Sequence, residues 1–163
     1  MFIHMTIRNV HIAIGAMLIL LSFSTVLLQT EDAGAAAPSP NLSVDQSERE
    51  ARELLLSAKD ALSSGNVRFL KPRLGGKVYL NLFTGINSYY SSAQAFLILE
   101  SFFSTYTPIS FSFSSRNFSI RNPYGFGPLT YERRGRRGTA ELFISLAVID
   151  GKWVINQITI ASR

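Results

Sequence analysis

The stretch GTAELFISLAVIDGKWVINQITIA, residues 138–161, sets an Asp-Gly pair between two runs of apolar and β-branched residues. Asp-Gly suits a two-residue hairpin turn, whose central positions both take positive φ. The spacing therefore predicts a hairpin with Ile149 opposite Lys152. That register gathers Leu142, Ile144, Leu146 and Val148 with Trp153, Ile155, Gln157 and Thr159 on one face. The other face carries Phe143, Val154, Ile158 and Ile160 around a polar cross-strand pair, Ser145–Asn156. Both faces are mostly apolar, so helices are expected over one and some other surface over the second.

Working back toward the N-terminus, LTYER (129–133) reads as a strand that meets residue 138 onward through a turn at Arg134-Gly135, and NPYGFGP (122–128) reads as turn. ISFSFSS (109–115) alternates through Ile109, Phe111 and Phe113. Phe118 and Ile120 fall out of phase with it, which predicts a turn or bulge between Ser114 and Asn117. Ser91 and Gln94 form a capping box opening SSAQAFLILESFFSTY (91–106), a helix stopped by Pro108. Its polar stripe is so narrow that cover on most sides is expected. KVYLNLF (77–83) reads as a strand with Val78, Leu80 and Leu82 inward, returned by TGINSYY (84–90). VRFLKPRLGG (67–76) holds at most one helical turn before Pro72. Ahead of it lies an amphipathic helix with the stripe Ala51, Leu54, Leu55, Ala58, Ala61 and Leu62, capped by Ser43 with Gln46 and stopped by Gly65-Asn66.

The 163 residues fit one domain plus a targeting segment. Residues 1–37 hold Arg8, an apolar run from Ile12 to Leu28, and the small residues Ala33, Ala35 and Ala37. That pattern is a signal peptide, with cleavage after Ala35 favoured over cleavage next to Pro38, or an uncleaved membrane anchor over residues 12–28. Arg8 before the run, with Glu31 and Asp32 after it, points the downstream domain out of the cytoplasm in either case. The expected location is extracytoplasmic: periplasm, cell surface or medium. Residues 38–43 read as a linker and residues 44–163 as the folded domain.

Chemistry is bounded by what is missing. The chain has no cysteine, and its two histidines, His4 and His11, both lie in the export segment. Thiol catalysis, Ser-His-Asp catalysis and imidazole or thiolate metal sites are thereby excluded from the domain. No cofactor is expected. From Ala61 onward twelve basic side chains face four acidic ones. Outside the cytoplasm such a surface suits anionic lipid, glycan or cell-wall neighbours, and nucleic acid is not an expected partner.

A helical first half followed by a strand-rich second half is α+β. ALSSGN (61–66), YYSSAQAFLILESFF (89–103), YGFGPL (124–129) and GKWVINQITI (151–160), in that order and spacing, resemble a family of exported bacterial proteins of unknown function. The resemblance spans roughly residues 45–161 and is carried best by Tyr90, Ser91, Gln94, Ala95 and the Phe102-Phe103 pair, with Gly127 matching a strand glycine. It implies the cone-shaped nuclear transport factor 2-like fold, with N-terminal helices packed on a bent antiparallel sheet. The family's His-x-Gly after the long helix is replaced here by Ser114-Ser115-Arg116, so no role of that histidine carries over.

Candidate site residues fall into three groups. Arg133, Arg134, Arg136 and Arg137 ring a predicted hairpin tip. They are either a solvated charge run or an anion-binding cluster, and strand alternation is expected to splay Arg133 and Arg137 away from their neighbours. The aromatic set Tyr79, Phe83, Tyr89, Tyr90, Phe96, Phe102, Phe103, Phe111 and Phe113 is either plain core or the lining of a cone. Tyr90, Phe103, Phe113 and Tyr131 are the ligand-binding candidates. Glu141, or else Glu100, is the acid that an apolar-cone enzyme or carrier of hydrophobic molecules would use. The leading expectation is a non-catalytic envelope domain. Its partner would be an envelope protein, a glycan or an apolar small molecule, with a homodimer through the sheet also open.

Fractionation of the producing cell should find the domain outside the cytoplasm, with a new N-terminus near Ala36 if the segment is cleaved. A full-length cytosolic product would refute the export reading.

Overall fold

The computed structural model describes residues 40–162; the export segment and its processing site lie outside the described residues. Helix α1 (Pro40–Ser64) leads into a short 3₁₀ helix (Val67–Arg73), then strands β1 (Leu74–Leu82) and β2 (Ile86–Ser91). Helix α2 (Ser92–Thr105) comes next. Strands β3 (Thr107–Phe111), β4 (Ser115–Asn117), β5 (Tyr124–Arg133), β6 (Arg136–Ile149) and β7 (Lys152–Ser162) complete the chain. The strands form one sheet in the order β2-β1-β7-β6-β5-β3, with β4 also on β5. All pairings are antiparallel except β1 with β7, where the first and last of the described strands run side by side. The α+β fold with helices against a curved sheet is the expected one.

The six residues of the α1 stripe are all buried, and so are Val78, Leu80 and Leu82 of β1, the strand that packs against α2. Helix α1 starts earlier than expected. Residues from Pro40 are helical, so Ser43 lies inside the helix and is not its cap. Proline is well suited to a first helical turn, where its missing N–H loses no bond. The α2 capping box is formed as expected: Ser91 Oγ accepts from the Gln94 amide, and Gln94 Oε1 accepts from the Ser91 amide at 3.1 Å. The cover over α2 is thinner than expected. Ala95, Phe96, Leu99, Phe102 and Phe103 are buried, but Leu97 is 61 % exposed, because the 3₁₀ helix and β1 cover only one side.

Two departures in the sheet shape the molecule. The Asp150-Gly151 turn is tight, with φ of 51° and 72°, and Ile149 pairs with Lys152 and Val148 with Trp153 as expected. Beyond Leu146–Ile155 the register slips by one residue, so Ser145 pairs with Gln157, Ile144 with Ile158 and Leu142 with Ile160. Asn156 is the extra residue of a β-bulge, and Ser145 Oγ hydrogen-bonds it at 2.9 Å. The expected faces therefore hold only on the turn side of the bulge. Past it, Ile158 and Ile160 turn inward and Gln157 and Thr159 outward.

The second departure is in NPYGFGP, of which Tyr124–Pro128 form the first half of β5 rather than a turn. Glycine serves close approach here. A Cβ on Gly127 would collide with the Ser112 carbonyl oxygen and lie 2.8 Å from the Ser114 nitrogen, and one on Gly125 would enter the Phe113 ring. The segment between β3 and β4 crosses directly over these glycines, anchored by the Ser114 amide to Phe126 O at 2.9 Å. The break after β3 thus falls over Ser112–Ser114, ahead of the expected interval, where Ser115–Asn117 form strand β4 instead. Pro128 lies between the β3 and β4 pairings, where its missing N–H is tolerated.

Gly127→Ala should destabilise the fold by about 2 kcal/mol or more, since the obstruction is backbone that cannot swing aside. Gly76→Ala, with no atom within 4 Å of the added carbon, should stay within about 0.5 kcal/mol of the parent. Equal thermal melting of the two variants would contradict the crossing.

Candidate functional site

The two-residue turn Arg134-Gly135 fixes which arginines share a face. Arg133 pairs directly with Arg136, Glu132 with Arg137, and Tyr131 with Gly138. Partners across a ladder point the same way. Arg133 and Arg136 therefore rise from the concave face along with Tyr131 and Leu129, while Arg137 and Glu132 start from the outer face. The splaying expected from alternation holds for Arg137 but not for Arg133.

Below these arginines lies an aromatic floor. Phe83, just past β1, stacks on Tyr131 with centroids 5.7 Å apart and meets Tyr106 edge-on at 5.0 Å. Tyr106, at the C-terminal end of α2, meets Tyr131 edge-on at 5.3 Å and stacks on Phe102 at 4.8 Å. Each such pair contributes about 0.5–1.5 kcal/mol beyond area burial. The Tyr131 ring folds over Gly138, where an added Cβ would lie 2.5 Å from Tyr131 Cζ. The Arg133 guanidinium sits 5.0 Å above the Tyr106 ring, a cation–π contact that holds it over the floor.

Floor and arginines enclose an open cavity of about 740 Å³, lined by Phe83, Tyr106, Tyr131, Arg133, Arg134, Arg136, Arg137 and Gly138. This is the mouth of the cone. No carboxylate lines it, and among the described residues none of the four arginines forms an ion pair. A cavity of equal volume at the other end of β6 is lined by Glu50 and Glu53 together with Arg73 and Lys152, beside Trp153. Its charges balance. The mouth instead carries one sign of charge over an apolar floor.

The remaining candidates lie elsewhere. Tyr90 pairs with Val78 on the far part of β1, Phe103 is buried in α2 against Phe102, and Phe113 packs on Phe111 over Gly125. Gly125 is six residues along β5 from Tyr131, about 20 Å at strand rise. Glu141 pairs with Pro128 and Ala161, on the opposite side of the sheet from the buried Ala140 and Leu142. Glu100, half exposed on α2, lies 3.8 Å from Arg68. Of the candidates read from sequence, Tyr131 and the four arginines meet at the mouth.

Phe83 and Tyr106 complete it. Phe83 belongs to the aromatic set but carries no mark in the sequence that singles it out, and sequence reasoning misses Tyr106. The signal for Tyr106 is its four-residue step from Phe102, which carries the helical face past the last turn. On the outer face, Tyr124 stacks on Phe143 at 5.9 Å beside the half-buried Phe126. The bulge puts Gln157 and Thr159 in the places expected for Ile158 and Ile160. That narrows the apolar surface open to a second copy.

The model of the family described as Domain of unknown function (DUF4783) matches residues 56–161. A DUF4783 family protein from Bacteroides uniformis is 23% identical, with a TM-score of 0.59, over 65% of this chain and 94% of that one. Another, from Bacteroides fragilis, is also 23% identical, with a TM-score of 0.53, over 65% and 95%. A designed nuclear transport factor 2-like protein with a long sheet is 14% identical, with a TM-score of 0.54, over 68% and 99%. No curated protein matches the sequence.

Asp150-Gly151 obeys the residue preference of its turn; Arg134-Gly135 does not, since Arg134 is held at φ 51°. Arg134→Asn should raise stability by about 0.5–1 kcal/mol, read as a higher melting temperature. Gly135→Ala, at φ 73°, should lower it by about 1 kcal/mol. The reverse order would contradict the turn geometry.

Proposed function

We propose that this chain, which belongs to the DUF4783 family, is a non-catalytic domain that works outside the cytoplasm and binds its partner at the arginine-rimmed mouth of the cone. The export part of this reading rests on the N-terminal segment, which places an apolar run after Arg8 and small residues before Pro38. The binding part rests on one observation. The cone opens on three touching aromatic rings in a cavity also lined by four arginines, one of them over the Tyr106 ring, with no carboxylate in the lining. Floor and rim supply apolar contact and charge, the two components of a recognition site.

The same geometry argues against the enzyme alternative. A single-glutamate proton transfer needs the carboxylate within hydrogen-bond reach of a molecule in the cone. Glu141 lies across the sheet and Glu100 lies on α2 near Arg68. No histidine occurs among the described residues, as both precede residue 12.

Backbone amide shifts recorded while the chain is titrated with an extract of the producing cell's envelope test this reading. Changes should cluster at residues 131–138, Phe83 and Tyr106, and should persist in Glu100→Gln and Glu141→Gln. Changes confined to other surfaces would refute the mouth as the site. Conversion of an extract component that disappears with either glutamate substitution would refute the non-catalytic reading.

A further inference from the structure

The mouth also states what kind of molecule it fits. Arg133 and Arg136 stand directly opposite each other beside the turn, on one face, with no ion-pair partner among the described residues. Like charges in that position oppose folding. Between them Arg134 occupies a left-handed conformation at φ 51°, which glycine, asparagine or aspartate adopts more readily. Two local rules are thus broken within four residues, and the matching Asp150-Gly151 turn on the same strand breaks neither. Departures of this kind concentrate at functional sites, where the surrounding structure holds them in place.

Beneath the charges, Phe83, Tyr106 and Tyr131 offer ring faces and edges and no charged group. A bare inorganic anion would leave that floor unused. A neutral apolar molecule would leave the guanidinium groups without a counter-charge. A polyanionic strand would need a row of stacking rings along a groove, whereas these rings form one compact cluster. We propose that the mouth binds an amphiphilic organic anion, whose apolar ring or chain lies on Phe83, Tyr106 and Tyr131 and whose terminal carboxylate or phosphate is held between Arg133 and Arg136. Guanidinium groups suit such oxyanions because their N–H groups form paired, charge-assisted hydrogen bonds. Arg133, already placed over Tyr106 at 5.0 Å, has less freedom to lose on binding. This assignment rests on the reading of the mouth as the binding site and adds the class of ligand.

Calorimetric titration of the purified chain with 4-phenylbutyrate, 4-phenylbutyramide, phenyl phosphate and inorganic phosphate tests it. The two organic anions should bind at least about tenfold more tightly than the neutral amide, as expected for a charge-assisted contact. Both should also bind more tightly than inorganic phosphate. In the variant carrying Arg133→Gln and Arg136→Gln the preference over the amide should fall to within about twofold, with the melting temperature held or raised as the like-charge pair is relieved. Rising salt should shrink the wild-type preference as the exposed charges are screened. Equal binding of amide and carboxylate, a preference that survives the double substitution, inorganic phosphate binding as tightly as the organic anions, or no binding by any of the four would each overturn the assignment. The amide-shift mapping is independent of these probes. Shifts at the mouth with envelope extract, combined with no preference for the anions, would leave the site standing and remove only this ligand class.

Discussion

The cone depends on a single extra residue. Asn156 interrupts the antiparallel pairing of β6 with β7 at the middle of the sheet, and the slip reverses the facing of everything after it in β7. Without it, Ile155 and Ile158 would lie on opposite faces, being an odd number of residues apart. With it, Ile155, Ile158 and Ile160 all enter the same core, each 0 or 1 % exposed. The hydrogen bond from Ser145 to Asn156 fills the place where the ladder loses its regularity. A bulge also adds twist and bends the strand that carries it. The curvature that separates a concave, helix-covered face from an outer one is therefore centred on the strand pair in the middle of the sheet.

Curvature alone would leave a filled core. The open end arises because the elements stop at different heights. Helix α2 ends at Thr105, and β1 ends at Leu82, while the β5–β6 hairpin continues to its turn at Arg134-Gly135. Tyr106 and Phe83 are the residues immediately beyond those two ends, so their rings close the core from above. Tyr131 comes down on them from the hairpin because Gly138, its cross-strand partner, has no side chain to hold it off. The hairpin continues beyond them, and its Arg133 stands over the Tyr106 ring. The aromatic floor is the top layer of the core, and the rim is the overhang of the β5–β6 hairpin.

The elements that rest on local rules are legible in the sequence: the α1 stripe, the α2 capping box, both two-residue turns and the Ile149–Lys152 register. The features that escape it depend on contacts between distant segments. Tyr124–Pro128 looks like turn sequence because two of its five residues are glycine and one is proline, yet those glycines admit the passing Ser112–Ser114 backbone. Asn156 reads as an ordinary polar position in an alternating strand, and only the combined demand of Ile155, Ile158 and Ile160 for one face reveals the slip. For the site, the arginines are visible as a cluster but not their sharing of a cavity. A two-residue turn already implies that its flanking residues pair, and the consequence for Arg133 and Arg136 comes from that rule rather than from alternation along one strand. Tyr90, Phe103 and Phe113 have the right chemistry for a lining, but the topology spends them elsewhere in the core.

The two ends of β6 are built to different rules. Both finish in a two-residue turn with positive φ, and each lies beside a cavity of about 740 Å³. At the Asp150-Gly151 end the turn residues are the preferred ones, Trp153 Nε1 donates to Ser47 Oγ at 3.1 Å, and glutamates sit among the basic groups. That end is built for stability. At the Arg134-Gly135 end an arginine occupies the left-handed position, two more face each other across the ladder, and the lining contains no acid. Exposure to water screens these charges and keeps the arrangement tolerable, but it supplies no reason for placing them over three aromatic rings. Solvated arginines need only water. Arginines that share a cavity with Phe83, Tyr106 and Tyr131 are arranged as the charged half of a site whose apolar half is already in place.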